Sequence, residues 1–171
     1  MTTATRTDTA FTVRAIPADV VRQLLAADDA GNPPRLLTDD EGGSPLRCCL
    51  QPSRPGERIA LVSYAPLRRW ARETGAEPGP YDEVGPVFIH PDRCNGPSKP
   101  GFPRWLASHR MLRAYSAAGQ ILGGRLFEPG AEPDPAGAEA LVAEMFADPD
   151  VALVHARAVE FGCFTFEVRR A

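Results

Sequence analysis

The sequence predicts an α+β fold, a single domain with a largely antiparallel sheet and two or three helices packed on one face. Three observations carry this. Stretches that alternate apolar and polar residues outnumber those with a helical apolar period. Several alternating stretches are separated by only a few turn-forming residues, which suits antiparallel neighbours. The chain has 171 residues, enough to bury a core in one domain.

The elements follow in order. Residues 1–10, polar and rich in threonine, read as a flexible tail ahead of a globular domain over 11–171. "FTVRAI" (11–16) alternates as a strand. Pro17 suits the first turn of a helix over 17–28, with Val20, Val21, Leu24 and Leu25 as its apolar stripe. Residues 31–45, dense in Gly, Pro and acids, read as a surface loop. "PLRCCL" (45–50) and "RIALVSY" (58–64) read as strands, with a short helix after Pro66 that Gly75 ends. "GPVFIH" (85–90) is a strand that Pro91 stops. A Pro/Gly-rich loop over 94–105 is followed by Trp105 and His109 at helical spacing. "MLRAYS" and "ILGGRLF" form a hairpin around "AAGQ". A helix over 137–147 presents Leu141, Val142, Met145 and Phe146. "VALVHARAV" and "CFTFEV" close the fold as a hairpin around Glu160–Gly162.

Composition excludes several partners. A net charge of −3 and a pI near 5.6 lack the clustered basic surface of a nucleic-acid binder. No run reaches the roughly eighteen apolar residues of a membrane span. The N-terminal residues lack the apolar core of a signal peptide, so the expected location is the cytoplasm, where thiols stay reduced. Lys99 is the single lysine among many arginines. With abundant Ala, Gly and Pro, this points to the codon bias of a GC-rich bacterium.

Alternation then sorts the polar residues by face. Arg47 and Cys49 point together, as do Arg113 and Tyr115, and His155 and Arg157. His90 lies on the Phe88 side, and Cys163 on the side opposite Phe164, Phe166 and Val168. If those faces coincide, Arg47, Cys49, His90, Arg113, Tyr115, His155 and Cys163 line one surface.

The segments "PLRCCL", "PGERIALVSYAP", "YDEVGPVFIHPDRC", "LRAYSAAGQI" and "DPDVALVHARAVEFGCFTFEV" resemble the bacterial domain of unknown function 1203 family, from about residue 45 onward. Gly85–His90 followed by Cys94 is the most characteristic part. The resemblance implies a Cys-Arg-x-Cys-Leu pattern where this chain has Leu46-Arg47-Cys48-Cys49-Leu50, so the first cysteine is replaced. It implies a single bacterial domain and brings no activity with it.

Three chemistries suit these residues. Arginine forks at Arg47 and Arg113, with hydrogen bonds from Tyr115 and Tyr81 and with Cys163 nearby, suit a small anionic molecule. His90, Glu83, His155 and Cys49 are the residues able to act there as acid, base or nucleophile. A metal reading draws on His90 and Cys94, with Cys49, His155 or Cys163 as further ligands, and zinc is the ion those donors suit. Without a Cys-x-x-Cys or His-Glu-x-x-His pattern, the expectation is no resident cofactor. Two function classes follow: a small enzyme acting on an anionic metabolite, and a non-catalytic module binding a ligand or protein on a solvated sheet face.

Overall fold

The computed structural model describes residues 11–171. The expected tail at 1–10 lies outside the described residues. Two sheets of five strands form the frame. The first joins β1 (Phe11–Arg14), β10 (Phe164–Arg170), β9 (Leu153–Ala158), β7 (Arg110–Tyr115) and β8 (Ile121–Phe127), in that order and antiparallel throughout. The second joins β2 (Arg35–Asp39), β5 (Glu57–Tyr64), β6 (Gly85–Ile89), β3 (Pro45–Leu46) and β4 (Gln51–Pro52). Its one parallel pairing sets Leu46 opposite Phe88.

The fold is α+β and mostly antiparallel, but the expected single sheet divides into two. The reason lies in β2, within a stretch read as surface loop. It pairs along β5 from Arg35–Leu61 to Asp39–Glu57, while β6 takes the other side of β5. Both edges of β5 are thereby filled. Alternation reports which face a residue takes and is silent on which strand lies beside it.

The helices also divide. α3 (Pro135–Ala147) starts at Asp134, whose side chain accepts the Gly137 N–H at 2.9 Å, with Pro135 in the first turn. Its Ala138, Val142, Met145 and Phe146 pack against Leu112, Ala114, Val154, Ala156, Phe166 and Val168 on one face of the first sheet. On the opposite face, Leu67 and Trp70 of α2 (Pro66–Thr74) meet Tyr115 and Leu153. α1 (Ala18–Ala26), with Pro17 as its N-cap, sets Val21 and Leu24 on the second sheet. Packing on one face is therefore corrected: the first sheet is covered by α3 on one side, and by α2 and parts of the second sheet on the other.

Three local departures position the polar residues. The expected strand over 45–50 ends at Leu46. Residues 47–50 instead form one helical turn closed by the Leu50 N–H on the Leu46 carbonyl at 2.9 Å, with Leu50 at φ +57°. In β10 a bulge between Phe164 and Phe166 breaks the alternation. Phe166 stays in the α3 core, while Phe164 crosses to the His155 side, its ring 5.1 Å from that imidazole and 5.4 Å from Tyr64. Trp105 lies in a 3-10 turn (Arg104–Leu106), and His109 is exposed just before β7, so the two share no helix face.

Candidate functional site

Cys48, Cys49, His90 and Cys94 converge from three segments. In a strand, consecutive side chains point to opposite faces; in a helical turn they stand about 100° apart. The turn after β3 therefore lets Cys48 and Cys49 share one side. β6 stops at Ile89 because Pro91 has no N–H for the ladder, and His90 emerges at its end. The loop beyond brings Cys94 back. The three sulfurs and a ring nitrogen of His90 all lie within 4.8 Å of one another.

The ring of His90 is oriented at both nitrogens. Its Nδ1 lies 3.2 Å from Cys48 Sγ and 3.9 Å from Cys49 Sγ, and its Nε2 lies 3.2 Å from Glu57 Oε1. Glu57 is held in turn by the Arg54 N–H at 2.7 Å, which with His90 lowers its pKa. Each sulfur also accepts a backbone N–H: Cys48 from His90 at 3.3 Å, Cys94 from Gly96 at 3.5 Å, and Cys49 from Gln51. At Cys48 and Cys49 these bonds favour thiolate over thiol. The Cys48 thiol donates to Cys49, which lowers the Cys49 pKa and raises that of Cys48; burial raises Cys48 further.

The cluster stands between two cavities. Cys48 and Cys94 line one of about 510 Å³, together with Val21, Arg22 and Leu25 of α1. Cys49 lines another of about 610 Å³ with Trp105 and Lys99. The loop after Cys94 borders both. It is tied down by the Trp105 indole N–H on the Leu50 carbonyl at 2.6 Å and by the Phe102 N–H on Glu139 at 3.2 Å.

The other expected site residues gather elsewhere, so the single polar surface is corrected to two clusters. Arg113, Tyr115, His155 and Arg157 do share a face of the first sheet, turned toward α2 and the loop before β6. Both Arg113 and Arg157 place a guanidinium nitrogen 3.0 Å from the same Glu83 oxygen. His155 is fully buried between the rings of Tyr115 and Phe164, and neither of its nitrogens has a hydrogen-bond partner. Its pKa is lowered to about 3, by burial first and then by Arg157, Arg113 and Arg169. A neutral ring at this position is a poor acid or base near neutral pH.

Arg47 points away from Cys49. It spans the two sheets, donating from Nε to the Phe164 carbonyl at 2.8 Å and also to the Pro45 carbonyl. Burial lowers its pKa to about 10, so it stays cationic at neutral pH. Cys163 lies outside β10, in the turn before it, with its thiol 3.7 Å from the Phe161 carbonyl. Tyr81 ends a 3-10 turn (Gly79–Tyr81) and is exposed. His90, expected beside Arg113 or Tyr115, lies instead with the sulfurs and Glu57. A strand over 45–50 would set Cys48 on the face opposite Cys49, and Cys48 is the cluster member that the strand reading missed.

Residues 43–170 match the family described as Protein of unknown function (DUF1203). The chain belongs to this family. The match spans both polar clusters, all four cysteines included. No curated protein and no solved structure matches the chain. Among the described residues, no helix is long and apolar enough to cross a membrane.

Proposed function

We propose that this DUF1203 protein is a zinc-binding protein, with Cys48, Cys49, His90 and Cys94 as the four ligands of a structural site. One observation carries the reading: three sulfurs and His90 Nδ1 lie within 4.8 Å of one another, and the far nitrogen of that ring faces Glu57. A tetrahedral ion with Zn–S bonds of about 2.3 Å holds its sulfurs about 3.8 Å apart, so closure onto zinc needs shifts of about 1 Å. The carboxylate–histidine pair is the outer arrangement that fixes the ring of a zinc ligand. The backbone N–H groups on each sulfur add to the case, since only thiolates bind the metal. This reading takes the place of the expectation of no cofactor; it takes Cys49 from the further ligands the sequence offered to His90 and Cys94, and it adds Cys48.

Four protein donors fill a tetrahedron and leave no position for substrate, so the role is structural. The ion would pin the turn after β3, the end of β6 and the loop carrying Cys94, and so shape both adjoining cavities. A reducing cytoplasm suits such a site, because it keeps the thiolates from pairing.

Metal analysis of protein purified under reducing conditions tests the reading. Stoichiometric zinc is expected in the wild type and is lost in Cys94→Ser and His90→Gln. Glu57→Gln keeps the ion with roughly 10- to 100-fold weaker affinity. Wild-type protein that takes up no stoichiometric zinc with all thiols reduced overturns it.

A further inference from the structure

At the edge of the arginine cluster, Arg157 and Glu83 line a cavity apart from the sulfur cluster. About 310 Å³ in volume, it is walled by Glu83, Arg157 and Cys163 together with the rings of Tyr64, Phe161 and Phe164. That is at the lower end of the ~300–1,000 Å³ typical of small-molecule sites. Its chemistry is two-sided. The aromatic rings offer apolar surface, and Phe161 is 85% exposed, the most open of the large apolar side chains among the described residues.

The charged part is unbalanced. Arg113 and Arg157 share one carboxylate, and both reach the same oxygen of Glu83. Arg47, 4% exposed, donates to the Phe164 carbonyl behind the wall and has no carboxylate partner among the described residues. Buried cations are ordinarily paired. His155, on the same sheet face, has no hydrogen-bond partner at either nitrogen, with Glu167 4.0 Å from its Nε2. Glu83 itself comes from a loop and is 47% exposed at its side chain, so it can leave the arginines at modest cost. Glu83 also indicates what the pair recognises: a carboxylate, held by guanidinium forks.

We propose that this cavity binds a small aromatic carboxylate, whose anionic group takes the place of Glu83 on Arg157 and Arg113 while its ring lies against Phe161, Phe164 and Tyr64. Glu83 is then an internal competitor. The site is independent of the zinc reading, and its occupant would be the anionic partner that the sequence leads one to expect.

Benzoate is the probe, titrated calorimetrically into wild type, Glu83→Gln and Arg157→Gln, with zinc content measured on each sample. Removing the competitor should tighten binding about tenfold, the value of about 1.4 kcal/mol. Arg157→Gln should weaken it by at least about tenfold, since hydrogen bonds to charged groups contribute about 1.5–3 kcal/mol. Arg157→Lys keeps the charge without the fork and should fall between the two. Zinc content should not move in any variant. If Glu83 serves only to neutralise the arginines, Glu83→Gln loses stability and gains no affinity, and the proposal fails. It fails equally if benzoate binds neither protein saturably, or binds Arg157→Gln as well as wild type.

Discussion

The two polar clusters of this molecule solve opposite problems. At the end of β6, four donors that compete for protons are brought within 4.8 Å of one another. Crowding acceptors in this way is unfavourable unless a proton or a cation is shared among them. Between the sheets, two guanidinium groups are brought onto one carboxylate oxygen, and the surplus is positive charge. The first cluster is a surplus of acceptors, which a shared proton or a cation relieves; in the second, Glu83 of the same chain already supplies an anion. Burial of polar groups alone does not separate them. The balance of donors and acceptors within each does, and it indicates the class of ligand.

The largest expected effect lies in the sulfur cluster. Cys48→Ser should abolish stoichiometric zinc and lower the thermal midpoint by roughly 10 °C, the shift that about 3–4 kcal/mol produces in a chain of this length. Midpoints recorded with and without a chelator check it. If Cys48→Ser keeps zinc and midpoint, Cys48 is a core thiol and the site has three protein ligands.

The next effect belongs to the arginine side and runs with pH. His155 has its folded pKa lowered to about 3 from an ordinary 6.5. Between those values the unfolded chain holds a proton that the folded chain does not, so this contribution to stability is full above pH 6.5 and falls away as pH drops toward 3. The charged neighbours are Arg113, Arg157, Arg169 and Glu167. Glu167, its pKa raised by burial, works in the other direction and takes its proton in the folded state first. Urea midpoints from pH 7 to 4 should therefore decline in the wild type and decline less in His155→Phe. A smaller effect follows from the same substitution at neutral pH. It removes two unpartnered buried nitrogens from between two aromatic rings and should stabilise by about 1 kcal/mol or more. A destabilised His155→Phe would mean that the imidazole makes a hydrogen bond, and would bring the arginine face closer to acid–base chemistry. The smallest expected response is to nucleic acid: no gel shift tighter than about 10⁻⁶ M at physiological salt.

Much of the local structure was readable from the residues, and the long-range pairing was not. β5, β6, β7 and β9 show in their alternation because one side of each faces a core. β2 hides, because an exposed edge strand is held by backbone hydrogen bonds that leave no apolar pattern. Arg113, Tyr115, His155 and Arg157 were placed on one face correctly, since β7 and β9 are regular where these residues stand. Phe164 was misplaced by a single extra residue in β10. The sulfur cluster was half visible. His90 and Cys94 follow from a strand, a proline and a loop. Cys48 depended on whether residues 47–50 extend or coil, and their β-compatible composition favoured the wrong choice.

The pairing of β1 with β10 sets Phe11 opposite Arg170, and this bears on the order of events during synthesis. The second sheet and the sulfur cluster are complete once residue 94 is available. The first sheet must hold β1 without its neighbour until nearly all of the described chain has been made. During synthesis the earliest described strand therefore keeps an unpaired edge while the second sheet is already complete, and closing that distant contact is the slow, aggregation-exposed step of folding.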